Sequence, residues 1–442
     1  MLFRKRSLWF NDWKCWNRTM VNKKAERNII LGKNVCLDTD KCSNMIILGD
    51  DGSNRPQFLM KDNIMQKNGS YIVSDIDAAL YNECKLELLR SGYKVYVLDP
   101  ANITGLSMSY DPLAYIKNIT DAVCFVNSIV DERRELGSKK IVAVASSSLL
   151  LSAVLYLLEA NHEFDRNLNG LLALLEDERK QSELAVGVTE AEVRFELAHV
   201  SNSKGIFYKC YSCFKSMPEA VKEEAVKMVI DKISQLVKET KGNGQKIILD
   251  SIANEKSALF IIQPQNSKEP FCSINALYSQ LLYELQKKQN GCSKDVYFMM
   301  SGIHSIGCPV DFMNVYEKAK KYNLHFMVFV NNMDEATVLS GTKAERLLDA
   351  DTLILFRNND KDLENQIVEI LYHHIGFCMM HKYISVYGSN QEIFGIDKYK
   401  REQFAYMTTD MILQKLKRIK DNQYFVLQHM VFPMVLDFGA EK

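Results

Sequence analysis

Residues 44–58 read NMIILGDDGSNRPQF, and the fold of the whole chain turns on them. Met45 to Leu48 are a short apolar run, as in a parallel strand buried on both faces. Gly49 ends the run, and Asp50 to Asn54 are turn formers. Helical character resumes at Gln57, through FLMKDNIMQ. Strand, glycine turn and helix is the frame in which GxxxxGK[ST] cradles phosphates. On that template Gly49 matches, and Gly52 and Ser53 lie within the loop. Asn54 stands at the second glycine, Arg55 at the lysine and Pro56 at the Ser/Thr. An ordinary strand, turn and helix gives the same outline.

Each departure has a physical meaning. The lysine of the motif is a point charge that reaches the β/γ-phosphates; Arg55 keeps the charge with another shape and reach. Pro56 has neither a hydroxyl for magnesium nor a backbone N–H. Asp50 and Asp51 put two negative charges where the loop should welcome an anion. Either they repel a nucleotide, or they take the helix N-terminal donors for themselves.

The 442 residues suffice for two or three domains with large cores. Lys plus Arg equals Asp plus Glu at 55 each, so no global basic field argues for nucleic acid. The 11 cysteines are odd in number and follow no framework spacing, which suits reduced thiols in a cytosol. Cys210 and Cys213 form a lone CxxC; His373, His374 and His381 cluster without an acidic or thiolate partner. Neither completes a metal site.

The start, MLFRKRSLWFNDWKCWNR, is basic and holds all three tryptophans, Trp9, Trp13 and Trp16. Residues 1–18 therefore suit a membrane surface or a partner groove, or else pack on their own domain. Ile141 to Leu158 carry no charge, at the lower length limit for a membrane span. Four serines dilute the run and charged segments flank it, so a buried core helix is the expectation.

Along the chain, apolar strands at 71–73 and 93–98 alternate with a helix through ALYNECKLELLRSG, marking an α/β domain with a parallel sheet. From Leu113 to about Lys241 the texture is helical, ending in the loop KGNGQ. Strands return at 256–262, 296–300, 325–330, 351–356 and 424–432, with helices through FCSINALYSQLLYELQKKQ and around Phe312 to Tyr322 between them. The helical block is thus inserted into one α/β domain.

At this point the order of segments resembles the TraG-like coupling proteins of type IV secretion, the membrane-associated ATPases of bacterial conjugation. ILGKNVCLDTDKCSNMIILG resembles the family's approach to its P-loop, and NGSYIVSDIDAAL its NGSYVVTDPKGEL segment. GYKVYVLDPANITGLSMSYDPLAYI is similar to its GYKVKVLN…YNPLAYI, most closely at Asp111 to Ile116. KSALFIIQP and INALYSQLLYEL resemble its KTALFVIIP and MLYTQLFDEL. The resemblance runs from about residue 28 to the end. It implies a RecA-like P-loop NTPase domain with an all-α domain inserted, in hexameric rings around DNA, anchored by N-terminal transmembrane helices. The expected division is a basic segment 1–27, RecA-like parts 28–112 and 245–442, and an all-α insertion 113–244.

The departures fall on the chemistry. The family's Walker B segment, LLDEFANIG, aligns with Met299 to Gly307, MMSGIHSIG, so its Asp becomes Ser301 and its Glu becomes Gly302. The sensor-like glutamine falls near Asn331. The TDPKGE segment keeps Asp75 but has Asp77 and Ala79 in place of Lys and Glu. In place of the transmembrane pair stands only the Trp-rich start. Water activation and metal support need the missing carboxylates.

The expectation is a pseudo-ATPase relative, with no catalytic residue, no metal and no nucleotide cofactor. It would serve a conjugative mobile element by binding type IV secretion proteins, an active coupling protein in a mixed ring among them. Its place would be cytoplasmic, at the inner face of the membrane. Two alternatives stay open: an active NTPase using Arg55 with Asp50 or Asp51, and a binding-only protein that has left conjugation. DNA binding is left to the basic positions Arg133, Arg134, Lys139, Lys140, Lys318, Lys320 and Lys321, which read equally as a solvated charged face.

Overall fold

The structure is a computed structural model. It describes residues 20–21, 28–32, 35–38, 43–49, 55–130, 137–159, 164–176, 195, 205–264, 270–288, 292, 294–340, 350–356, 365, 368–373, 423–428 and 431–437. Three short strands, β1 (Met20–Val21), β2 (Asn28–Gly32) and β3 (Val35–Asp38), pair antiparallel in the order β1-β3-β2. The main sheet comprises β4 (Asn44–Leu48), β5 (Ser70–Ile76), β6 (Lys94–Leu98), β7 (Ser257–Gln263), β8 (Val296–Met300), β9 (Leu324–Val330) and β10 (Thr352–Phe356), with β11 (Gln423–Gln428) and β12 (Val431–Asp437). Its order is β12-β11-β10-β4-β9-β8-β5-β7-β6. From β10 to β6 every pairing is parallel; β11 and β12 close the sheet as antiparallel strands.

Burial on both faces explains why these strands read as unbroken apolar runs. Along β4, Met45 and Ile47 join one core, with α1 (Arg55–Ile64), α2 (Ala79–Arg90) and the small sheet; Ile46 and Leu48 join the other. The period is two, as a strand demands. Asp351 ties the starts of two neighbouring strands together, its Oδ2 accepting the N–H groups of Ser43 at 2.7 Å and Asn44 at 3.0 Å.

Between β6 and β7 the described elements are helical: α3 (Ile119–Ile129), α4 (Ser138–Glu159), α5 (Leu168–Glu176), α6 (Ile206–Lys215), α7 (Glu219–Glu239) and α8 (Leu249–Asn254). The uncharged run lies in α4, most of it buried, with α6 and α7 packed against it. It is long and apolar enough to cross a membrane, yet here it is the core of the helical block.

The return segment KGNGQ is more than a loop. The amide of Asn243 donates to the Ser107 carbonyl at 2.9 Å, that of Ser109 to Gln245 at 2.6 Å and that of Ile247 to Ser109 at 3.0 Å. The outgoing and returning chains so form a paired neck. Gly242 makes the approach possible, since a Cβ there would lie 2.3 Å from the Ser109 nitrogen.

Beyond the neck come α9 (Cys272–Gln286), α10 (Ile303–Ile306), α11 (Phe312–Glu317) and α12 (Met333–Ser340). α3 docks on α9: Lys287 Nζ lies 2.7 Å from Asp121 Oδ1, and Asn275 Nδ2 donates to the Ser128 carbonyl at 2.9 Å.

Three sequence expectations are adjusted. The helix after the glycine turn starts at Arg55, two residues early. YFVLQHMVF is not one strand but parts of two, β11 and β12. The helix around Phe312 to Tyr322 breaks after Glu317, and a 3-10 turn, Ala319–Tyr322, completes it.

Candidate functional site

In an open parallel sheet, ligands bind beyond the carboxyl ends of the strands. That edge gathers the sequence-predicted positions. β9 lies between β4 and β8, so the ends of β4 and β8 are two strand spacings apart, about 10 Å. Gly49 follows β4, Asn331 follows β9, and Ser301 and Gly302 follow β8. Gly49 has φ 97° and donates its N–H to the Val330 carbonyl at 3.0 Å, so its left-handed turn is fastened to the next strand. Arg55 opens α1. Asp50, Asp51, Gly52, Ser53 and Asn54 lie outside the described residues, as does the side chain of Arg55.

Ser301 is buried, and its Oγ donates to the Ser74 carbonyl at 3.2 Å. Gly302 has φ 62°. A Cβ there would stand 2.3 Å from Gln263 Oε1, at the end of β7. Gln263 is 1% exposed, and neither end of its amide has a hydrogen-bond partner among the described residues. A neutral amide thus fills the space that a side chain at 302 would need. Sequence reasoning passed over Gln263; its one signal was a polar residue closing the apolar run SALFII.

Asp75, at the end of β5, is fully buried. Its carboxylate accepts the N–H groups of Leu80 at 3.0 Å and Tyr81 at 2.7 Å, at the start of α2. Burial pushes its pKa up to about 6, against those two donors, which pull it down. Asp77 and Ala78 both take positive φ, 53° and 62°, in the turn between. Ala79 is the first residue of α2. Asp75 therefore works as a helix cap.

Asn331 is held by Glu335, whose carboxylate accepts its backbone N–H at 2.7 Å and its side-chain Nδ2 at 3.0 Å. Asn332 Oδ1 accepts the Glu335 N–H at 2.9 Å and so caps the start of α12, while the Glu335 side chain reaches back one residue further, to Asn331. His304 Nε2 lies 3.7 Å from the same carboxylate. Glu335 is buried and stands beside the strand ends, a carboxylate the sequence reading overlooked although N-x-x-E is a visible capping pattern.

Gly49 and the start of α1 stand on either side of residues 50–54, the loop that the phosphate-binding template would place between them. At the end of β8 no carboxylate is offered, and that of Asp75 is taken up by two N–H groups.

The other candidates do not join this edge. Cys210 and Cys213 are free thiols on α6, and no described group of three or more side chains could hold a metal. His373 lies exposed, 3.9 Å from Glu369, while His374 and His381 are outside the described residues. Lys139 and Lys140 are exposed at the start of α4, and Arg133 and Arg134 are not described. Lys318, Lys320 and Lys321 precede β9, at the opposite edge of the sheet.

The profile of the family described as Type IV secretory system Conjugative DNA transfer matches residues 6–371. No curated protein sequence matches the chain. Among solved structures, the conjugative coupling protein TrwBdeltaN70, in its unbound monoclinic form, is similar with a TM-score of 0.62 at 10% identity, covering 95% of this chain and 90% of that one. TrwB in complex with the ATP analogue ADPNP gives 0.62 at 10% identity, covering 95% and 90%. TrwB with ADP and Mg2+ gives 0.61 at 11% identity, covering 95% and 91%. These likenesses establish the fold, a RecA-like P-loop NTPase domain with an all-α domain inserted. They also correct the expectation of no cofactor, because the same fold is solved carrying ADPNP and ADP with Mg2+. The chain belongs to the type IV secretory system conjugative DNA transfer family.

Proposed function

We propose that this chain is a coupling-protein component of a conjugative DNA transfer system that takes nucleotide as a ligand without hydrolysing it, and acts by binding its partners. The observation that supports this most is the end of β8. Ser301 and Gly302 stand where two carboxylates are expected, and the Gln263 amide occupies the space beside them. Activating water and supporting a metal both need those carboxylates. The loss of a single such group removes a few kcal/mol of transition-state stabilisation, on the order of 10²-fold or more in rate.

The partners proposed are type IV secretion and conjugation proteins, with an active coupling protein in a shared ring, at the inner face of the membrane. Residues 113–244 form the insertion that meets them, between RecA-like parts 28–112 and 245–442. The test is thermal unfolding with and without Mg-ATP, together with phosphate release. A ligand at a hundred times its dissociation constant stabilises by about 2.7 kcal/mol. The expected result is a shift that Arg55→Ala removes, with no phosphate released. Steady turnover by the pure protein would overturn the reading.

A further inference from the structure

Ser301, Gly302 and Gln263 bring no charge to the strand ends, but Glu335 does. In the P-loop frame the turn after one strand holds the phosphate chain, and the acids that act on the terminal phosphate stand after another. Here those strands are β4 and β8, with β9 between them, so a terminal phosphate would lie over the end of β9. That strand end is Asn331, exposed at the edge, with the buried Glu335 behind it. Leu48 pairs with Val330, so Gly49 and Asn331 leave their strands side by side, about 5 Å apart.

The donors at this strand end are already engaged. Glu335 Oε2 accepts the Asn331 N–H at 2.7 Å, and Oε1 accepts from Asn331 Nδ2 at 3.0 Å. A backbone N–H and a side-chain amide that could each meet a phosphate oxygen are turned to a carboxylate instead. The carboxylate also stays beside them as a fixed negative charge. His304 Nε2, on an exposed side chain, is 3.7 Å from it, beyond hydrogen-bond reach.

We infer, on the reading proposed above that this edge binds nucleotide, that the nucleotide is the diphosphate and that Glu335 sets the choice by opposing a third phosphate. The ends of β4 and β8 are about 10 Å apart, so a phosphate between them lies within about that distance of Glu335. Repulsion between two unit charges at that range, near a protein surface, is worth about tenfold in affinity. The changes at residues 55, 56, 301 and 302 also disfavour a triphosphate, but their effect does not depend on residue 335.

The test is isothermal titration of the full chain with ADP and with the β,γ-imido analogue of ATP, both with magnesium. Glu335→Gln keeps the length of the side chain and an oxygen for the Asn331 N–H, and removes the charge. Glu335→Ala removes charge and contacts together and serves as the second variant. Glu223→Gln, exposed on α7, is the control with the same change in net charge. The parent and the control should bind ADP about tenfold more tightly than the analogue. Both Glu335 variants should bind the two ligands within a few-fold of each other, through tighter binding of the analogue, and circular dichroism should show them folded. Equal or tighter binding of the analogue by the parent would overturn the inference and leave nucleotide binding standing. A parent-like ratio in either folded Glu335 variant would overturn it too, and assign the preference to the turn after β4. Binding of neither ligand by the parent would overturn it together with the reading on which it rests.

Discussion

Gly302 and Gln263 give the sharpest test of how the site was remodelled. Gly302→Ala adds one carbon in two unfavourable circumstances. The backbone sits at φ 62°, where an L side chain costs about 1–2 kcal/mol. The new Cβ would also lie 2.3 Å from Gln263 Oε1, and the amide is too buried to swing into solvent. Overpacking of that kind costs about 1–3 kcal/mol. Together the single change should cost about 2–5 kcal/mol in a denaturant titration. Gln263→Ala should be near neutral. It loses one buried methylene, about 0.8 kcal/mol, and leaves a small void, against removal of an amide whose lack of a protein partner costs about 1–3 kcal/mol. In the double variant only the backbone cost remains, so the cycle should show coupling of about 1–3 kcal/mol. The corollary is that Ser301→Asp/Gly302→Glu should fold stably only when Gln263 is shortened as well. Costs that add to within about 0.5 kcal/mol would refute the claim that Gln263 holds the space of residue 302.

Three further outcomes follow from the same geometry. Asp75 keeps its proton in the fold up to about pH 6 but releases it near 3.8 when unfolded; between these values the native state binds more protons, so stability falls as pH rises, by up to about 3 kcal/mol. Asp75→Asn should flatten that part of the pH–stability curve while costing about 1 kcal/mol through the lost second N–H bond at α2. Lys287→Met removes the cation beside the buried Asp121 carboxylate, leaving it the Lys117 N–H and the Tyr283 hydroxyl, and should cost about 2 kcal/mol, less than a fully buried pair because Lys287 is partly exposed. Burial opposes ionisation of Asp121, but Lys287 and that N–H outweigh it and hold its pKa low; stability is lost as pH falls through that lowered value, and the variant should lose it at higher pH. Glu335→Ala should cost about 1 kcal/mol through α12 and free the Asn331 side chain, detected by denaturation and by faster amide exchange at Asn331.

The strands and the long helices were legible because both cores impose a period: unbroken apolar runs for β4 and β7, and a run bounded by charge for α4. The resemblance supplied the order of the segments. What stayed hidden depended on contacts far apart in sequence. Residues 28–38 read as an approach to the turn, yet β2 and β3 form a sheet against α1, with Asn63 Oδ1 accepting the Ile30 N–H at 2.8 Å. KGNGQ read as a linker, and only its pairing with residues 107–109 makes it a neck. The split of residues 424–432 into two strands was missed because the sequence between β11 and β12, His429 and Met430, holds no glycine or asparagine.

The site shows the same limit, and it bears on what the missing carboxylates mean. The resemblance sets Ser301 and Gly302 where the family has two acids, which is what drift after loss of function would also produce. Drift gives no reason for the neighbourhood to close around the change. Here the neighbourhood has closed: Ser301 Oγ is bonded to the strand beside it, residue 302 has the one side chain that fits under the Gln263 amide, and Asp75 is committed to capping α2. Restoring an acid at 302 therefore meets a steric cost that a site merely lacking its acids would not impose. A family whose fold carries nucleotide has here an edge packed for residues other than the hydrolytic pair. On the proposed reading, selection for binding without turnover accounts for that packing.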